Sequence, residues 1–445
     1  MTTTYDPFHP KYFDESDLRE EMTRVFDLCH GCRLCFKFCT AFPTLFEAVD
    51  RHDDQDAAKL TGAEQGQVVD ECFNCKLCYV NCPYIPGQHE WELDFPRLML
   101  RAEQVLHESR RRGVRSRLSD QALGRTDLGG KVNTALAPVV NKVVEKPGGA
   151  GRKVLEKVAG IASERVLPPY ARQRFSTWWR KRTASPEPAA SAVGRTQGSA
   201  ILFPTCLVEY QAPQVGKDMV RVYERNGVEC TLPKGQVCCG APWLHAGDVD
   251  SFRKQGAKNV RALADAIRVA KAKGDEPAVV VPQPTCGYVL KHDYKDYIGG
   301  PDAELVAEHT YDTSEYLMTL HKAEDTSLDV EFGGDVPAEV TYHAPCHLRA
   351  QNIGLKSRDL IKLAGAKIKV VAECSGIDGT WGYRKDNYDA SRQVAQKMAK
   401  AIDKAGGAVV VGDCHLANGG IVQETGRQPQ HPLSLLARAY DIRED

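Results

Sequence analysis

The second half of the chain alternates short apolar runs with longer stretches whose apolar residues recur at helical spacing. The apolar runs predict strands at 200–203, 278–281, 340–342, 368–372 and 408–411. The amphipathic stretches predict helices at 213–227, 252–273, 355–365 and 388–405. Strands that alternate with helices indicate βαβ units, so we expect an α/β region with a parallel sheet over residues 199–445.

Cysteines repeat in the same order in both halves of this region. The first copy contains Cys206, Cys238, Cys239 and Cys286, and the second contains Cys346, Cys374 and Cys414. The first and last cysteine of each copy directly follow predicted strands. Because the carboxyl ends of parallel strands meet at one edge of a sheet, where open α/β sheets build their sites, we expect these cysteines to lie at that edge.

The first hundred residues carry two runs with the spacing C-x2-C-x2-C-x3-C. This is the run of two-cluster bacterial ferredoxins, in which the fourth cysteine of each run binds the cluster of the other. The spacing assigns two [4Fe-4S] clusters, one to Cys29, Cys32, Cys35 and Cys82, the other to Cys72, Cys75, Cys78 and Cys39. Zinc or a disulfide staple is the alternative, although zinc sites usually use two paired cysteines rather than runs of four. We expect a helical, ferredoxin-like domain here.

Composition and charge narrow the class of protein. The chain has 445 residues with 16 cysteines, and 58 basic against 59 acidic residues leave a net charge of −1, which gives no reason to expect nucleic-acid binding. The polar N-terminus does not resemble a secretory signal, and no apolar run approaches about 18 residues. We therefore expect a cytoplasmic protein, whose thiols stay reduced and available to metals.

The middle of the chain, residues 101–183, is basic, with 19 Lys or Arg against 7 Asp or Glu. Arginines cluster at 110–112, 115 and 117, and Phe175, Trp178 and Trp179 precede a second basic group. One interpretation is a solvated helical face with an aromatic anchor in the core. The other is a docking surface for a partner, a quinone or the cytoplasmic face of a membrane. Residues 184–198 are small and contain proline, as in flexible linkers.

Five segments carry a resemblance to a known family: 204–218, 237–243, 284–294, 342–349 and 374–388. They resemble the cysteine-rich CCG domains of heterodisulfide reductase subunits. The order of a two-cluster ferredoxin followed by two CCG repeats is similar to the iron–sulfur subunits of anaerobic glycerol-3-phosphate dehydrogenase, glycolate oxidase and lactate utilisation. The expected domains are a ferredoxin-like domain (1–100), a basic helical connector (101–183), the linker (184–198) and two CCG repeats (199–325 and 326–445).

The resemblance implies a further iron–sulfur or related metal centre in the CCG repeats, and zinc is the other candidate metal. Carried over residue by residue, it gives a first site of Cys206, Cys238, Cys239 and Cys286, and a second site of Cys346, Cys374 and Cys414. Ser375 and Ala417 stand where the family often has cysteine. The second site therefore either takes a further ligand from His343, His347 or His415, or is degenerate. Cys230 lies outside every motif and is expected to be a buried hydrophobe.

No P-loop, dinucleotide-binding glycine pattern or nucleophile elbow is present, so we expect no nucleotide or flavin site in this chain. The first hypothesis is an iron–sulfur electron-transfer subunit, or partner, of a flavin-dependent oxidoreductase, passing electrons through two [4Fe-4S] clusters and the CCG domain to or from a quinone or other acceptor. This is an oxidoreductase component rather than a stand-alone enzyme. The alternative is a heterodisulfide or disulfide reductase with its active centre in the CCG domain. The third hypothesis is a scaffold for assembly in which the metals only hold the structure together and carry out no redox chemistry.

Overall fold

The structure is a computed structural model that describes residues 5–109, 114–182, 198–377 and 379–442, and for residues 114–117 it describes the backbone alone. The arginines at 110–112 and nearly all of the linker predicted at 184–198 lie outside the described residues, as do the side chains at 115 and 117.

The N-terminal part is helical and encloses its own core. Its helices are α1 (Glu15–Cys32), α2 (Ala41–Asp50), α3 (Gly62–Asp70), α4 (Leu77–Val80) and α5 (Phe95–Glu108). Helix α1 begins where the Asp14 carboxylate accepts hydrogen bonds from the backbone N–H groups of Ser16 and Asp17. Phe26 and Phe42 lie in the buried core. The cysteine runs occupy helix ends and the turns between them.

The basic connector also folds into helices. They are α6 (Val114–Gly124), α7 (Thr126–Ala135), α8 (Ala137–Val144), α9 (Ala150–Ala159) and α10 (Phe175–Lys181). Phe175 and Trp178 of α10 are buried in one hydrophobic core with Met219 of the first repeat. These two aromatic side chains therefore anchor the connector in the core instead of forming a docking surface.

The first repeat contains a parallel sheet with strand order β2-β1-β3-β4. Its strands are β1 (Gly198–Leu202), β2 (Val228–Thr231), β3 (Pro277–Val281) and β4 (Thr310–Asp312). Ala200 pairs with Cys230 on one side and with Ala278 on the other. Strand β3 is buried along its whole length, as expected of an internal parallel strand. The helices are α11 (Thr205–Tyr210), α12 (Pro213–Arg225), α13 (Ala241–His245), α14 (Val249–Ala272), α15 (Pro284–Tyr288), α16 (Tyr294–Tyr297), α17 (Pro301–Glu308) and α18 (Thr313–Lys322).

The second repeat contains a smaller parallel sheet with strand order β6-β5-β7. Its strands are β5 (Glu339–His343), β6 (Lys367–Val371) and β7 (Val409–Gly412). Its helices are α19 (Cys346–Ala350), α20 (Lys356–Leu363), α21 (Tyr388–Ala405), α22 (His415–Thr425) and α23 (Pro432–Ala439). The predicted fold class, a helical ferredoxin-like part followed by two βαβ-type repeats, is confirmed. Strands β2 and β4 were not predicted, because both are short and neither forms a continuous apolar run.

The two repeats share a core. Leu433 and Leu436 of the C-terminal helix α23 are buried in the same hydrophobic cluster as Met219 and Val222 of α12. The last helix of the second repeat therefore completes the packing of the first. Among the residues that the structure describes, no helix is both long and apolar enough to cross a membrane.

Candidate functional site

Four cysteines of the N-terminal part gather near the end of α1: Cys29, Cys32, Cys35 and Cys82. After α1, Arg33 adopts a left-handed φ of 52°, which reverses the chain and returns Cys35 toward Cys29. Burial raises the pKa of Cys29, and the negative charges of the other three thiolates raise it further. Burial raises the pKa of Cys35 to about 12, with Cys82 adding to the effect. Such thiols become thiolates most readily when they bind a metal cation.

The other four cysteines gather around the loop 72–78: Cys39, Cys72, Cys75 and Cys78. Asn74 and Lys76 adopt left-handed φ angles of 50° and 61°, which curl this loop tightly. Burial raises the pKa values of Cys39 and Cys78, and the neighbouring thiols add to both shifts. The fourth cysteine of each run thus lies beside the first three of the other run. That is the grouping expected for two clusters, whereas ligation itself stays a prediction.

The four cysteines predicted for the first CCG site form a continuous row of thiols. Cys206 lies beside Cys238, Cys238 beside Cys239, and Cys239 beside Cys286, close enough for each thiol to shift the pKa of its neighbour. Cys206 lies in α11 directly after β1, and Cys286 lies in α15 directly after β3, so both are at the carboxyl edge of the sheet. Hydrogen bonds from Cys206 and Cys239 lower the pKa of Cys238.

The turn that carries the paired cysteines needs a glycine and is held by a buried amide. Gly240 has a φ of 93°, and a Cβ there would lie 2.8 Å from Cδ2 of Phe252. The Asn259 side chain accepts a hydrogen bond from the Val237 N–H (2.8 Å) and donates one to the Cys238 carbonyl (3.1 Å). These contacts fix the turn that carries Cys238 and Cys239.

Asp127 is a site residue that sequence reasoning missed. Its carboxylate accepts hydrogen bonds from the Cys238 backbone N–H (2.8 Å) and from the Tyr210 hydroxyl (3.1 Å). Burial raises the pKa of Asp127. The residue lies on α7 of the connector, far from Cys238 in the sequence, and belongs to no motif. An acidic residue in a basic stretch was the available signal, and it is a weak one.

A cavity of about 230 Å³ adjoins the first CCG site. All four cysteines of this site line it, together with side chains of the second repeat such as Thr380 and Leu416. The connector supplies much of its wall through Leu123, Val144, Ile161, Leu167, Pro168 and Tyr170. Four adjacent thiols beside a largely apolar cavity are a donor set that fits an iron–sulfur centre.

The three cysteines predicted for the second CCG site, Cys346, Cys374 and Cys414, line a smaller cavity of about 30 Å³. The Gly376 N–H donates to Cys374 Sγ (3.3 Å), and the Ala417 N–H donates to Cys414 Sγ (3.5 Å). Gln283, from the first repeat, also donates its side-chain N–H to Cys414 Sγ (3.2 Å). Hydrogen bonds to sulfur stabilise thiolates and tune the potential of a cluster that they hold.

The structure separates the three histidines proposed as a further ligand. His343 lines this cavity and donates from Nε2 to the Glu373 carbonyl (2.9 Å), while its buried Nδ1 has no hydrogen-bond partner among the described residues. Burial lowers the pKa of His343 to about 4, so the ring is neutral near pH 7. His415 lines a different cavity, and both ring nitrogens of His347 are engaged. His343 therefore has the free nitrogen that a ligand requires.

Within the described residues, no three His, Cys, Asp or Glu side chains converge closely enough to hold a single metal ion. A cluster makes a different demand, because its cysteine thiolates bind several irons rather than one. Cys230 lies apart from all four groups, buried in the core on β2, as expected of a small hydrophobe.

The second ferredoxin-like group packs directly against the second CCG site. One hydrophobic cluster contains Phe73, Cys75 and Leu77 of the loop together with Cys346, Cys374 and Trp381 of the second repeat. The rings of Phe73 and Trp381 are 4.4 Å apart between centroids. We name this contact the joint.

Hydrogen bonds fix the joint on both sides of its apolar centre. The indole N–H of Trp381 donates to the Asp70 carbonyl (2.7 Å). His347 Nε2 donates to the Asn74 carbonyl (3.1 Å), and its Nδ1 accepts from the Thr285 hydroxyl (3.0 Å). Because His347 contacts the ferredoxin-like loop and the first repeat together, it ties both to the second CCG site. Neither Trp381 nor this role of His347 was predicted.

Comparison with known proteins agrees with this geometry. Residues 21–104 match the 4Fe-4S dicluster domain, and residues 200–291 and 340–416 match the cysteine-rich domain named CCG. A component of the anaerobic glycerol-3-phosphate dehydrogenase of Escherichia coli (strain K12) is 30% identical over 329 residues, 73% of this chain and 78% of the relative. Lactate utilization protein A of Bacillus pumilus is 28% identical over 220 residues, 48% of this chain and 86% of the relative. A component of the fumarate reductase (CoM/CoB) of Methanothermobacter marburgensis is 32% identical over 229 residues, 50% of this chain and 42% of the relative.

The fold and the grouped thiols define an iron–sulfur electron-transfer protein, with a ferredoxin-like part joined to a cysteine-rich α/β part. The chain belongs to the family of CCG-domain iron–sulfur proteins that includes this component of anaerobic glycerol-3-phosphate dehydrogenase. The predicted family resemblance is thereby confirmed.

Proposed function

We propose that this protein is the iron–sulfur subunit, or partner, of a flavoprotein dehydrogenase or another redox protein. In this role electrons enter two [4Fe-4S] clusters in the ferredoxin-like part, continue to the CCG repeats, and leave to a quinone or other acceptor. Contact with a quinone or with the cytoplasmic face of a membrane through the basic connector is part of the proposal. The names of the similar proteins, which include a dehydrogenase and a reductase, support it.

The proposed ligands follow the groups in the structure. One [4Fe-4S] cluster is held by Cys29, Cys32, Cys35 and Cys82, and the other by Cys72, Cys75, Cys78 and Cys39. A further centre is held at the first CCG site by Cys206, Cys238, Cys239 and Cys286, and another at the second by Cys346, Cys374 and Cys414 with His343 Nδ1. When bound, such clusters act as one-electron carriers whose potentials depend on charge, burial and hydrogen bonds to sulfur.

The joint is the observation that carries this proposal. Cys75 and Cys346 belong to different parts of the chain, yet they pack in one apolar cluster with Phe73 and Trp381, in which Phe73 and Cys75 are buried and Cys346 and Trp381 are partly buried. A packed contact of this kind supports a fixed separation of the two thiol groups. From the second site, Gln283 connects onward, because its side chain bonds Cys414 while the same residue lines the cavity of the first site. These contacts support the order ferredoxin-like part, second CCG site, first CCG site for the proposed electron route.

A matched pair of cysteine variants tests the ligand assignment. Cys374→Ala removes a proposed ligand, whereas Cys230→Ala removes a buried cysteine outside all four groups. On protein purified without oxygen, we expect Cys374→Ala to lose iron relative to wild type and Cys230→Ala to keep all of it. Equal iron in both variants, with both folded by circular dichroism, contradicts a metal centre at the second CCG site.

A disulfide reductase is the second candidate, favoured by the row of four adjacent thiols beside a cavity of about 230 Å³. Reduction of a disulfide consumes two electrons and two protons and releases two thiols, so it needs an electron donor. Turnover of a heterodisulfide by the holoprotein with a reduced viologen dye as donor supports this role. If no thiol is released while the dye still reduces the clusters, the reductase candidate is rejected and the electron-transfer proposal stands.

A further inference from the structure

The connector helices expose a continuous apolar stripe. Its residues, each between 40% and 66% exposed, are Leu128, Val132, Leu136, Val139, Val143, Val154 and Val158. The first five follow one another at intervals of three or four residues along α7 and α8, which are separated by a single residue, so they share one helical face. A Cβ at Gly151 would lie 2.8 Å from Cγ1 of Val143, so α9 packs against the end of α8 and continues the stripe through Val154 and Val158.

Basic side chains flank this stripe. The exposed cations of the same helices and their connections are Arg125, Lys131, Lys142, Lys146, Lys153 and Lys157. Over residues 125–159, all of which are described, Glu145 is the exposed carboxylate, while Asp127 and Glu156 are partly buried. An apolar helical face bordered by lysines is the pattern of helices that lie in the interface of an anionic bilayer.

The composition of the face favours lipid over a protein partner. Protein interfaces take most of their binding energy from Trp, Tyr and Arg and are depleted in Lys. Here the exposed apolar residues are all Val and Leu, and all but one of the flanking cations are Lys. An aliphatic stripe can enter the acyl boundary while lysines reach the phosphate groups.

The opposite side of α7 and α8 walls the cavity of the first CCG site, through Thr126 and Val144. We propose that the face of α7–α9 docks on an anionic membrane surface and thereby holds the first CCG site beside the bilayer. The purpose of this docking rests on the proposed function. In that function the first CCG site is the last group of the electron route, and a lipid-soluble acceptor such as a quinone would reach the chain there. The binding itself is independent of any electron transfer.

The test is co-sedimentation of the full-length holoprotein with vesicles of phosphatidylcholine alone or of phosphatidylcholine mixed with phosphatidylglycerol. Val139→Glu combined with Val154→Glu places two carboxylates on the stripe. Val269→Glu combined with Val370→Glu is the control, since both valines are exposed elsewhere and the added charge is the same. We expect wild type and control to bind the anionic vesicles, less so at high salt, and the stripe variant to bind at least about tenfold more weakly.

Three results overturn the inference. The first is wild-type protein that stays unbound with both kinds of vesicle. The second is equal loss of binding in the stripe and control variants, which shows that net charge alone governs binding. The third is a concentration-dependent dimer that the stripe variant abolishes, with no lipid binding, which assigns the face to a second copy of the chain. Reduction of the clusters by dithionite without vesicles is measured in parallel, so failure of docking is distinguished from failure of the proposed electron-transfer function.

Discussion

Replacement of Trp381 tests whether the joint holds the ferredoxin-like part against the second CCG site. Trp381 makes two contacts there: a hydrogen bond from its indole N–H to the Asp70 carbonyl (2.7 Å) and a ring contact with Phe73 (4.4 Å between centroids). Trp381→Ala removes both contacts and leaves a gap beside Cys75 and Cys346. Trp381→Phe keeps an aromatic ring and removes the hydrogen bond, so it is the matched control.

The expected cost follows from these contacts. The hydrogen bond contributes about 1 kcal/mol, because the exposed carbonyl can bind water instead. The aromatic pair adds about 1 kcal/mol. Removal of a fully buried Trp costs about 3–5 kcal/mol, and Trp381 is only partly buried. We therefore expect Trp381→Ala to lower the free energy of opening the joint by about 2–3 kcal/mol, and Trp381→Phe by about 1 kcal/mol.

Native-state hydrogen exchange of the loop 72–78 measures this opening free energy locally. A loss of about 2 kcal/mol corresponds to about thirtyfold faster exchange, and a loss of about 1 kcal/mol to about fivefold. Amides of the first sheet, such as that of Val279 in β3, serve as the internal reference and should not change. If Trp381→Ala exchanges at the wild-type rate in this loop, or no faster than Trp381→Phe, the joint does not hold the two parts together.

Three further changes test the surroundings of the sites. Gly376→Ala places a Cβ 2.1 Å from the Ser391 carbonyl oxygen, at a residue whose φ is 68°. We therefore expect the free energy of unfolding to fall by more than about 3 kcal/mol. A thermal scan in which the melting temperature does not change would refute the steric argument. Asp127→Asn keeps one acceptor and introduces a donor between the Cys238 N–H and the Tyr210 hydroxyl. We therefore expect the free energy of unfolding in denaturant titrations to fall by about 1–2 kcal/mol, with less iron retained. An unchanged free energy of unfolding together with unchanged iron would show that the carboxylate is dispensable. Burial raises the pKa of Asp293 to about 7, so the folded state binds this proton more tightly than the unfolded state, and stability falls as pH rises from about 4 to about 7. Asp293→Asn should reduce this fall in the free energy of unfolding, between about pH 4 and about pH 7, by up to about 4 kcal/mol. If the fall is the same in the variant, other groups cause it.

The parts of the site that depend on local spacing could be predicted from the sequence. The arrangement of the cysteines in each C-x2-C-x2-C-x3-C run is set within the run itself, because the positive φ angles of Arg33, Asn74 and Lys76 curl the chain there. Strand β3 was predictable because Pro277–Val281 is uniformly apolar. Cys206 and Cys286 follow their strands, so their placement at one edge of the sheet also follows from topology.

Contacts between distant parts of the chain could not be predicted in the same way. Asp127 acts through a hydrogen bond to Cys238, more than a hundred residues away, and neither residue's neighbours signal the other. The joint depends on the packing of Trp381 against Phe73, which no periodicity encodes. The connector was interpreted from its arginines and tryptophans, yet Trp178 is buried, and the exposed apolar face consists of valines and leucines. The helical spacing of the apolar residues at 128–143 is the feature of the sequence from which this exposed face could have been predicted.

The most direct test of the central claim is iron per chain together with EPR at several potentials, on protein purified without oxygen. If the ferredoxin-like part delivers electrons to centres in the CCG repeats, we expect clearly more than about eight irons, at least about ten, and signals beyond those of the two [4Fe-4S] clusters. The signal of the first CCG site should disappear in Cys239→Ala while the ferredoxin-type signals remain. About eight irons with ferredoxin-type signals alone would contradict the claim and leave a two-cluster electron carrier.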